Sequence, residues 1–188
     1  MGRWEPNAKG RLEQAALNLY QERGYEETTV TEIAERAGLT ERTFFRYFAD
    51  KREVLFGGQE NLLEIYVGAI EAAPDAAAPI EMIVAALEAA VPVFQERHEI
   101  ARQRQSVIDA NPGLREREML KRTTLASGMA EALRRRAVPD SAASLAADVG
   151  VVVFKTAYAR WLGEPGAADL VRLIRASLDQ LKSIIAGE

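Results

Sequence analysis

A cluster of basic residues with aromatic neighbours lies in the first third of the sequence. Between Arg36 and Arg52 the chain carries five positive and two negative residues, which leaves a local charge of +3, although the formal net charge of the whole chain is −4. Positive side chains neutralise nucleic-acid phosphates, and arginine can also hydrogen-bond O6 and N7 of guanine. The chemistry that these residues offer is recognition of a polyanion, not catalysis.

Two short helices are predicted to position this cluster. Thr29 stands where a helix N-cap is expected, and Glu32, three residues later, completes a capping box. Thr40 caps the next helix, and Gly38 permits a tight turn between the two. The pattern predicts a helix-turn-helix over residues 29–48, whose second helix can lie in the major groove of DNA.

The stretch from Thr28 to Phe56, TTVTEIAERAGLTERTFFRYFADKREVLF, resembles the N-terminal domain of the TetR (tetracycline-repressor) family. The resemblance implies a helix-turn-helix DNA-binding domain over residues 1–50. It also implies a helical domain for effector binding and dimerisation over residues 51–188. By resemblance, eight residues are expected to contact DNA: Thr29, Thr40, Arg42, Thr43, Phe45, Arg46, Tyr47 and Lys51.

These eight residues are expected to divide by role. Those expected at phosphates are Thr29, Thr40, Tyr47 and Lys51. Those expected at base edges are Arg42, Thr43 and Arg46. Phe45 stands where the family commonly has Tyr, so a hydroxyl contact is missing and the ring would pack on sugar or a thymine methyl group. The alternatives are a solvated basic face for the arginines and plain N-caps for the threonines. Candidates for an N-terminal arm, against a frayed terminus, are Arg3, Lys9 and Arg11.

Apolar residues recur at spacings of three and four throughout, which predicts an all-α chain of about nine helices. The expected helices cover residues 7–23, 30–37, 41–48, 51–73, 79–96, 98–110, 114–137, 141–162 and 167–186. Gly57-Gly58 lies inside the fourth of these and predicts a break or kink, since glycine is unfavourable in a helix interior.

The composition is that of a soluble globular protein, with 188 residues, 48% hydrophobic and 28% charged. The absence of cysteine excludes disulfides and thiolate chemistry, and the single histidine, His98, excludes multi-histidine metal sites. No enzyme motif is present, so no catalytic residue, metal or cofactor is expected. The N-terminus lacks a secretory signal and no apolar run approaches about 18 residues, so we expect a cytoplasmic protein.

Apolar faces on the last two helices predict a homodimer, because two helices from each chain can form a four-helix interface. The candidate interface residues are Val149, Val152, Val153, Thr156, Leu170, Leu173, Ile174, Leu178 and Leu181. A dimer would present two recognition helices to a palindromic operator. The alternative is an intramolecular core that uses the same stripe.

A pocket for a small-molecule effector is expected between the middle helices. The candidate ligand residues are Leu63, Tyr66, Val67, Phe94, His98, Arg102, Val107, Leu125 and Met129. Arginines beside an apolar face would suit an apolar body with an anionic head. This segment also resembles, less specifically, the TetR subgroup that includes mycofactocin-type regulators, which implies an acyl-coenzyme A ligand. The alternatives are ordinary core residues and a solvated helix of alternating charges.

Together these features predict a transcriptional regulator, usually a repressor, that an effector releases from double-stranded DNA. The alternative is an architectural or activator protein that binds DNA without a ligand response. A shift in DNA affinity at saturating ligand would distinguish the two.

Overall fold

A computed structural model describes residues 7–95, 97–164 and 169–187. The predictions that fall on Arg3, Glu96 and Ala167 lie outside these residues. The described residues contain no strand, which confirms the all-α prediction, and they form a 310 helix at Glu53–Phe56 and ten α-helices. The α-helices are α1 Ala8–Arg23, α2 Val30–Arg36, α3 Glu41–Tyr47, α4 Gln59–Ala72, α5 Pro79–Ala89, α6 Val91–Gln95, α7 His98–Ala110, α8 Pro112–Arg135, α9 Asp140–Gly163 and α10 Leu170–Ala186.

The break expected at Gly57-Gly58 is present. The 310 helix ends at Phe56 and α4 begins at Gln59. Gly58 has a φ of 86°, in the left-handed region that other residues rarely adopt. The helical hydrogen-bonding pattern is therefore interrupted at Gly57 and Gly58, as the sequence predicted.

A second interruption separates α5 from α6, where the sequence had predicted one helix. The N–H of Ala90 donates to the carbonyl oxygens of Ala86 and Leu87, both at 3.3 Å, as a helix end does. Pro92 follows, and proline has no N–H to donate to the carbonyl of Glu88. Pro92 was the sequence signal for this break.

The described chain forms two compact units. The N-terminal unit consists of the residues up to Gly57 together with Arg102–Glu118, and the C-terminal unit consists of Gly58–Ala101 and the residues from Met119 onward. Helices α7 and α8 each contribute to both units. The domain boundary predicted between residues 50 and 51 stays a prediction.

The core of the N-terminal unit combines the first three helices with the segment 102–118. Its fully buried side chains include Leu12, Ile33, Phe44 and Ile108. Each such side chain contributes about 1.5–3 kcal/mol through burial. The inner faces of α2 and α3 therefore pack against an apolar core that holds both helices in place.

The C-terminal unit packs α4, α5, α9 and α10 around a larger core, with Trp161 as its largest fully buried side chain. Helices α5 and α9 approach closely at Gly150, where a Cβ would overlap with Ile83. Helix α9 is long and apolar enough to cross a membrane by length and composition alone. A core helix passes the same test, and one face of α9 is buried here.

Candidate nucleic-acid interface

The predicted caps of the helix-turn-helix are present. Thr29 Oγ1 accepts from the backbone N–H of Glu32 at 3.2 Å, and the Glu32 carboxylate accepts from the N–H of Thr29 at 2.9 Å. This bond from the Thr29 backbone is the main cause that lowers the pKa of Glu32. Thr40 Oγ1 accepts from the N–H of Thr43 at 3.2 Å. Both helices therefore begin at the threonines that the sequence predicted.

The turn between α2 and α3 depends on Gly38, which has a φ of 64°. The N–H of Leu39 closes the turn by donating to the Ala34 carbonyl at 2.8 Å. The Arg11 guanidinium donates to the Ala37 carbonyl. Arg11, a candidate arm residue in the sequence, lies in α1 and supports this turn instead.

Helix α3 has an inner and an outer face. Phe44 is fully buried and Phe48 is 4% exposed, with their ring centroids 5.4 Å apart. The outer face carries Arg42 and Arg46, together with Phe45, whose side chain is 54% exposed. An exposed aromatic ring between two arginines gives α3 a surface suited to a DNA groove.

Arg42 and Arg46 are the available cations on this face. Arg42 is exposed and has no hydrogen-bond or ion-pair partner among the described residues. The Arg46 guanidinium lies 4.8 Å from the centroid of the Tyr47 ring, and its Nη2 donates to the Tyr47 hydroxyl at 3.0 Å. This contact orders Arg46 and leaves its other N–H groups for a ligand.

Two other arginines of the cluster have acidic partners. Arg36 donates to both carboxylate oxygens of Glu22 at 2.9 and 2.8 Å, and these bonds lower the pKa of Glu22. Arg52 donates to Asp50 Oδ2 at 2.6 and 3.0 Å. Their charges are therefore balanced locally.

Lys51 lies among backbone carbonyls. Its Nζ donates to the carbonyl oxygens of Tyr25 at 2.9 Å, Glu26 at 3.0 Å and Thr28 at 2.9 Å. It also lies 4.5 Å from the centroid of the Tyr25 ring. Its own carbonyl accepts from the Tyr20 hydroxyl at 2.6 Å.

The two tyrosines beside Lys51 are buried. Burial raises the pKa of Tyr25 to about 12 and that of Tyr20 further still. Their rings meet edge to face with centroids 5.2 Å apart. Both phenols therefore stay neutral in the folded chain at physiological pH.

The segment 102–118 contributes arginines to the N-terminal unit, which the sequence did not reveal. Arg104 donates to the Leu55 carbonyl, lies 5.2 Å from the Phe56 ring centroid and pairs with Glu118 at 3.4 Å. Arg117 donates to Glu53 Oε1 at 2.9 and 2.7 Å. These arginines hold the 310 helix within its own unit.

The predicted ligand residues are divided between the two units. Tyr66 and Met129 are buried in the core of the C-terminal unit, and burial raises the pKa of Tyr66. Half-buried residues of the same unit are Leu63, Val67, Phe94, His98 and Leu125. The N-terminal unit contains Arg102, which is exposed, and Val107, which is buried. The structure does not bring all nine together in one unit.

An aromatic cluster surrounds two of these residues. The Phe94 ring centroid lies 5.3 Å from that of Phe154 and 5.7 Å from that of Tyr158. His98 meets the Trp161 ring edge to face at 4.5 Å, and its Nε2 is 2.9 Å from the Trp161 carbonyl oxygen. The cluster joins α6 and the start of α7 to α9.

A surface groove of about 220 Å³ lies between α8 and α9. Its lining residues are Thr123, Ala126, Ser127, Ala130, Glu131, Arg134, Ser144 and Asp148. None belongs to the predicted ligand set, and six of these eight residues are polar or charged. Within the described residues, no group of three His, Asp or Glu side chains could hold a metal ion.

The predicted dimer residues differ in exposure. Four are buried in the chain's own core: Val153, Leu170, Leu173 and Ile174. Five remain accessible: Val149, Val152, Thr156, Leu178 and Leu181. Three exposed apolar side chains add to them: Leu145, Ile184 and Ile185.

Capped short helices, a glycine turn and a cationic outer face define a helix-turn-helix protein. Residues 13–57 match the family model for bacterial regulatory proteins of the tetR family. Residues 77–186, more than half of the chain, match the model for the MftR C-terminal domain. The chain therefore belongs to the TetR family, as the motif predicted.

One curated relative is similar in sequence, and two solved structures are similar in fold. The HTH-type transcriptional regulator TcmR of Streptomyces glaucescens is 37% identical over 81 residues, which make up 43% of this chain and 36% of TcmR. The match thus spans about a third of that relative. A putative TetR-family regulator from Syntrophomonas wolfei superposes with a TM-score of 0.62 at 17% identity, over 95% of this chain and 94% of that one. Thermus thermophilus FadR, a TetR-family repressor solved with lauroyl-CoA, superposes with a TM-score of 0.55 at 20% identity over 93% of each chain.

Proposed function

We propose that this chain is a sequence-specific DNA-binding transcriptional regulator, a repressor that a small-molecule effector releases from a palindromic operator. The observation that carries the proposal is the outer face of α3, where Arg42 and Arg46 are available while Phe44 anchors the helix from behind. Family membership supports it. Such a protein acts in the cytoplasm, where the operator is.

In this proposal Arg42, Thr43 and Arg46 contact base edges, because guanidinium groups pair with guanine and hydroxyls with several bases. The groups at phosphates are the hydroxyls of Thr29, Thr40 and Tyr47. The Thr29 hydroxyl donates to Glu32 Oε2 at 2.9 Å in the free chain and would exchange this single bond for a phosphate oxygen. Phe45 lacks a hydroxyl and packs on sugar or a thymine methyl group. Lys51 is left out of the phosphate set because its ammonium already donates to three carbonyl oxygens.

The operator-binding form is a homodimer built on α9 and α10. The support is an accessible apolar set on these helices, in which Val152 is 57% and Ile185 is 77% exposed. The set consists of Leu145, Val149, Val152, Leu178, Leu181, Ile184 and Ile185. Contiguous exposed apolar side chains mark interfaces, since monomers rarely expose large apolar patches. Two-fold symmetry would match that of a palindrome.

The effector binds the C-terminal unit and has an apolar body, with acyl-coenzyme A compounds as the class to test first. The match to the MftR C-terminal domain and the half-buried apolar residues of the predicted set support this choice. An effector that prefers the conformation with wrongly spaced recognition helices would weaken operator binding by its differential affinity, about 1–3 kcal/mol.

The test begins with selection of duplexes from a random DNA pool at near-physiological salt, with the mass of the complex measured in parallel. We expect enrichment of a two-fold symmetric site bound by an even number of chains. Lauroyl-CoA is then titrated into the complex, and release at saturating ligand supports the repressor mechanism. Enrichment without any ligand response would favour an architectural or activator protein, and no enrichment would contradict the proposal.

A further inference from the structure

The Lys51 ammonium has no hydrogen-bond donor to spare. An ammonium group has three N–H bonds. Those of Lys51 meet the carbonyl oxygens of Tyr25, Glu26 and Thr28 at 2.9–3.0 Å. A phosphate oxygen could accept a hydrogen bond from Lys51 only if the ammonium gave up one of these three contacts. The contact with Glu26 is exposed and those with Tyr25 and Thr28 are partly buried, and the Tyr25 carbonyl also accepts from the N–H of Thr28 at 3.4 Å.

The carbonyl oxygens belong to the loop that joins α1 to α2. The loop begins at Gly24, whose N–H donates to the Tyr20 carbonyl at 3.0 Å. Inside it the Thr28 hydroxyl donates to the Gly24 carbonyl at 2.8 Å. It ends at Thr29, the N-cap of α2. A cation that binds three carbonyls of this loop therefore fixes the start of α2.

Lys51 also belongs to the chain that leaves α3. Tyr20 of α1 donates its hydroxyl to the Lys51 carbonyl at 2.6 Å. The residue thus connects the end of α1 and the start of α2 to the segment after α3, through its main chain and its side chain. We propose that Lys51 is a positioning residue that sets the relative placement of α2 and α3, in place of the phosphate contact that resemblance implies.

This inference rests on the proposed function only for its effect on DNA, because the carbonyl contacts exist in the free chain. Lysine and arginine differ here. A tetrahedral ammonium fits three converging carbonyls, whereas the guanidinium is a larger planar fork, although either group can bind phosphate. Arginine at position 51 would therefore preserve a phosphate contact but not the carbonyl contacts.

The test compares Lys51→Arg and Lys51→Met with the wild-type chain in operator affinity across a salt series. We expect both variants, while folded, to bind about 10-fold or more weakly, as for loss of hydrogen bonds to a charged group. The slope of log K against log[salt] should stay near the wild-type value, because a lost phosphate contact would reduce it by about 0.9. Arg160→Met, in the C-terminal unit, is the control for simple loss of an exposed cation.

Two outcomes would overturn the inference. Wild-type affinity for Lys51→Arg, with a smaller salt slope for Lys51→Met, would show a phosphate contact. Wild-type affinity for both variants at temperatures where they are folded would show a role in stability alone.

A measurement without DNA separates this inference from the proposed function. In the free protein, the Lys51 ammonium protons should exchange with water more slowly than those of the exposed Lys155 and Lys182, measured by nitrogen-15 NMR. Rapid exchange would contradict the carbonyl contacts whether or not the chain binds an operator. The measurement uses the wild-type chain, so it stands even if a variant fails to fold.

Discussion

The five positive side chains between Arg36 and Arg52 are not equivalent. Arg36 and Arg52 have carboxylate partners and Lys51 donates to carbonyls, which leaves Arg42 and Arg46 on the outer face of α3. A charge count along the sequence therefore overstates the number of cations that can reach DNA. It nevertheless indicates the surface proposed to bind DNA, because Arg42 and Arg46 both lie on α3.

Arg42→Ala tests base reading. We expect it to relax specificity at one base pair of each half-site by about 1–3 kcal/mol, because a bidentate arginine contact supplies that much discrimination. The measurement is competitive binding to operators substituted at each position. Arg160→Ala should leave the preference unchanged at every position. Uniform weakening on all sequences by Arg42→Ala would show that Arg42 contacts phosphate instead.

Tyr25 should make stability depend on alkaline pH. Burial raises its pKa to about 12 from an ordinary value of 10.0, so between these values the unfolded chain loses a proton that the folded chain keeps. Stability contributed by the neutral phenol is full below pH 10 and is lost as the pH rises towards 12. Tyr25→Phe should make this decline shallower in urea unfolding curves. If the free energy of unfolding fell equally steeply with pH above pH 10 for both chains, Tyr25 would not be the group responsible for the decline.

Helices α2 and α3 have seven residues each and are too short to be stable alone. Their caps, the Gly38 turn and the buried Phe44 supply the stability that length does not. The cap of α2 was readable from the sequence because threonine with glutamate three positions later, Thr29 and Glu32, is a local signal, and the cap of α3 because Thr40 directly follows the Gly38 turn. Pro92 is an equally local signal, and it indicates the break between α5 and α6.

Gly38→Ala should destabilise the chain by about 1–2 kcal/mol, the cost of a left-handed conformation for a residue with a Cβ. The new Cβ would also lie 2.9 Å from Arg11 Nη2. Gly68→Ala is the matched control, since Gly68 is inside α4 and a Cβ added there would have nothing within 4 Å. It should stabilise by up to about 1 kcal/mol through helix propensity. Urea unfolding measures both, and a neutral Gly38→Ala would show that the turn tolerates a side chain.

At the scale of the whole molecule, sequence patterns predicted the apolar face of each helix. They did not predict whether that face packs in the chain's own core or stays exposed. The last helix is an example: Leu173 and Ile174 are in the chain's own core, whereas Ile185 is exposed on the same helix. The sequence likewise did not predict that segment 102–118 belongs to the N-terminal unit. The contacts of Arg104 and Arg117 join residues 49 and 64 positions apart, and Arg104 donates to a backbone carbonyl, which carries no sequence signal.

The accessible apolar set on α9 predicts the effect of a charge placed within it. Val152→Arg should raise the dimer dissociation constant by about 100-fold or more, because an unpaired charge buried at an interface costs about 3–5 kcal/mol. Leu120→Arg is the control: Leu120 is 51% exposed on α8, close to the 57% of Val152, but lies outside the proposed interface. Sedimentation equilibrium measures the dimer, and circular dichroism verifies that both variants are folded.

The same pair of variants connects assembly to DNA binding. Each recognition helix can occupy one half-site, so a monomeric Val152→Arg should bind a palindrome no more tightly than an isolated half-site, whereas Leu120→Arg should keep the preference of the wild-type chain. If Leu120→Arg dissociated the dimer and Val152→Arg left it intact, the interface would lie on α8 and not on α9. Retained palindrome preference in a monomeric Val152→Arg would instead show that DNA assembles the two chains, with α9 contributing little to the pairing.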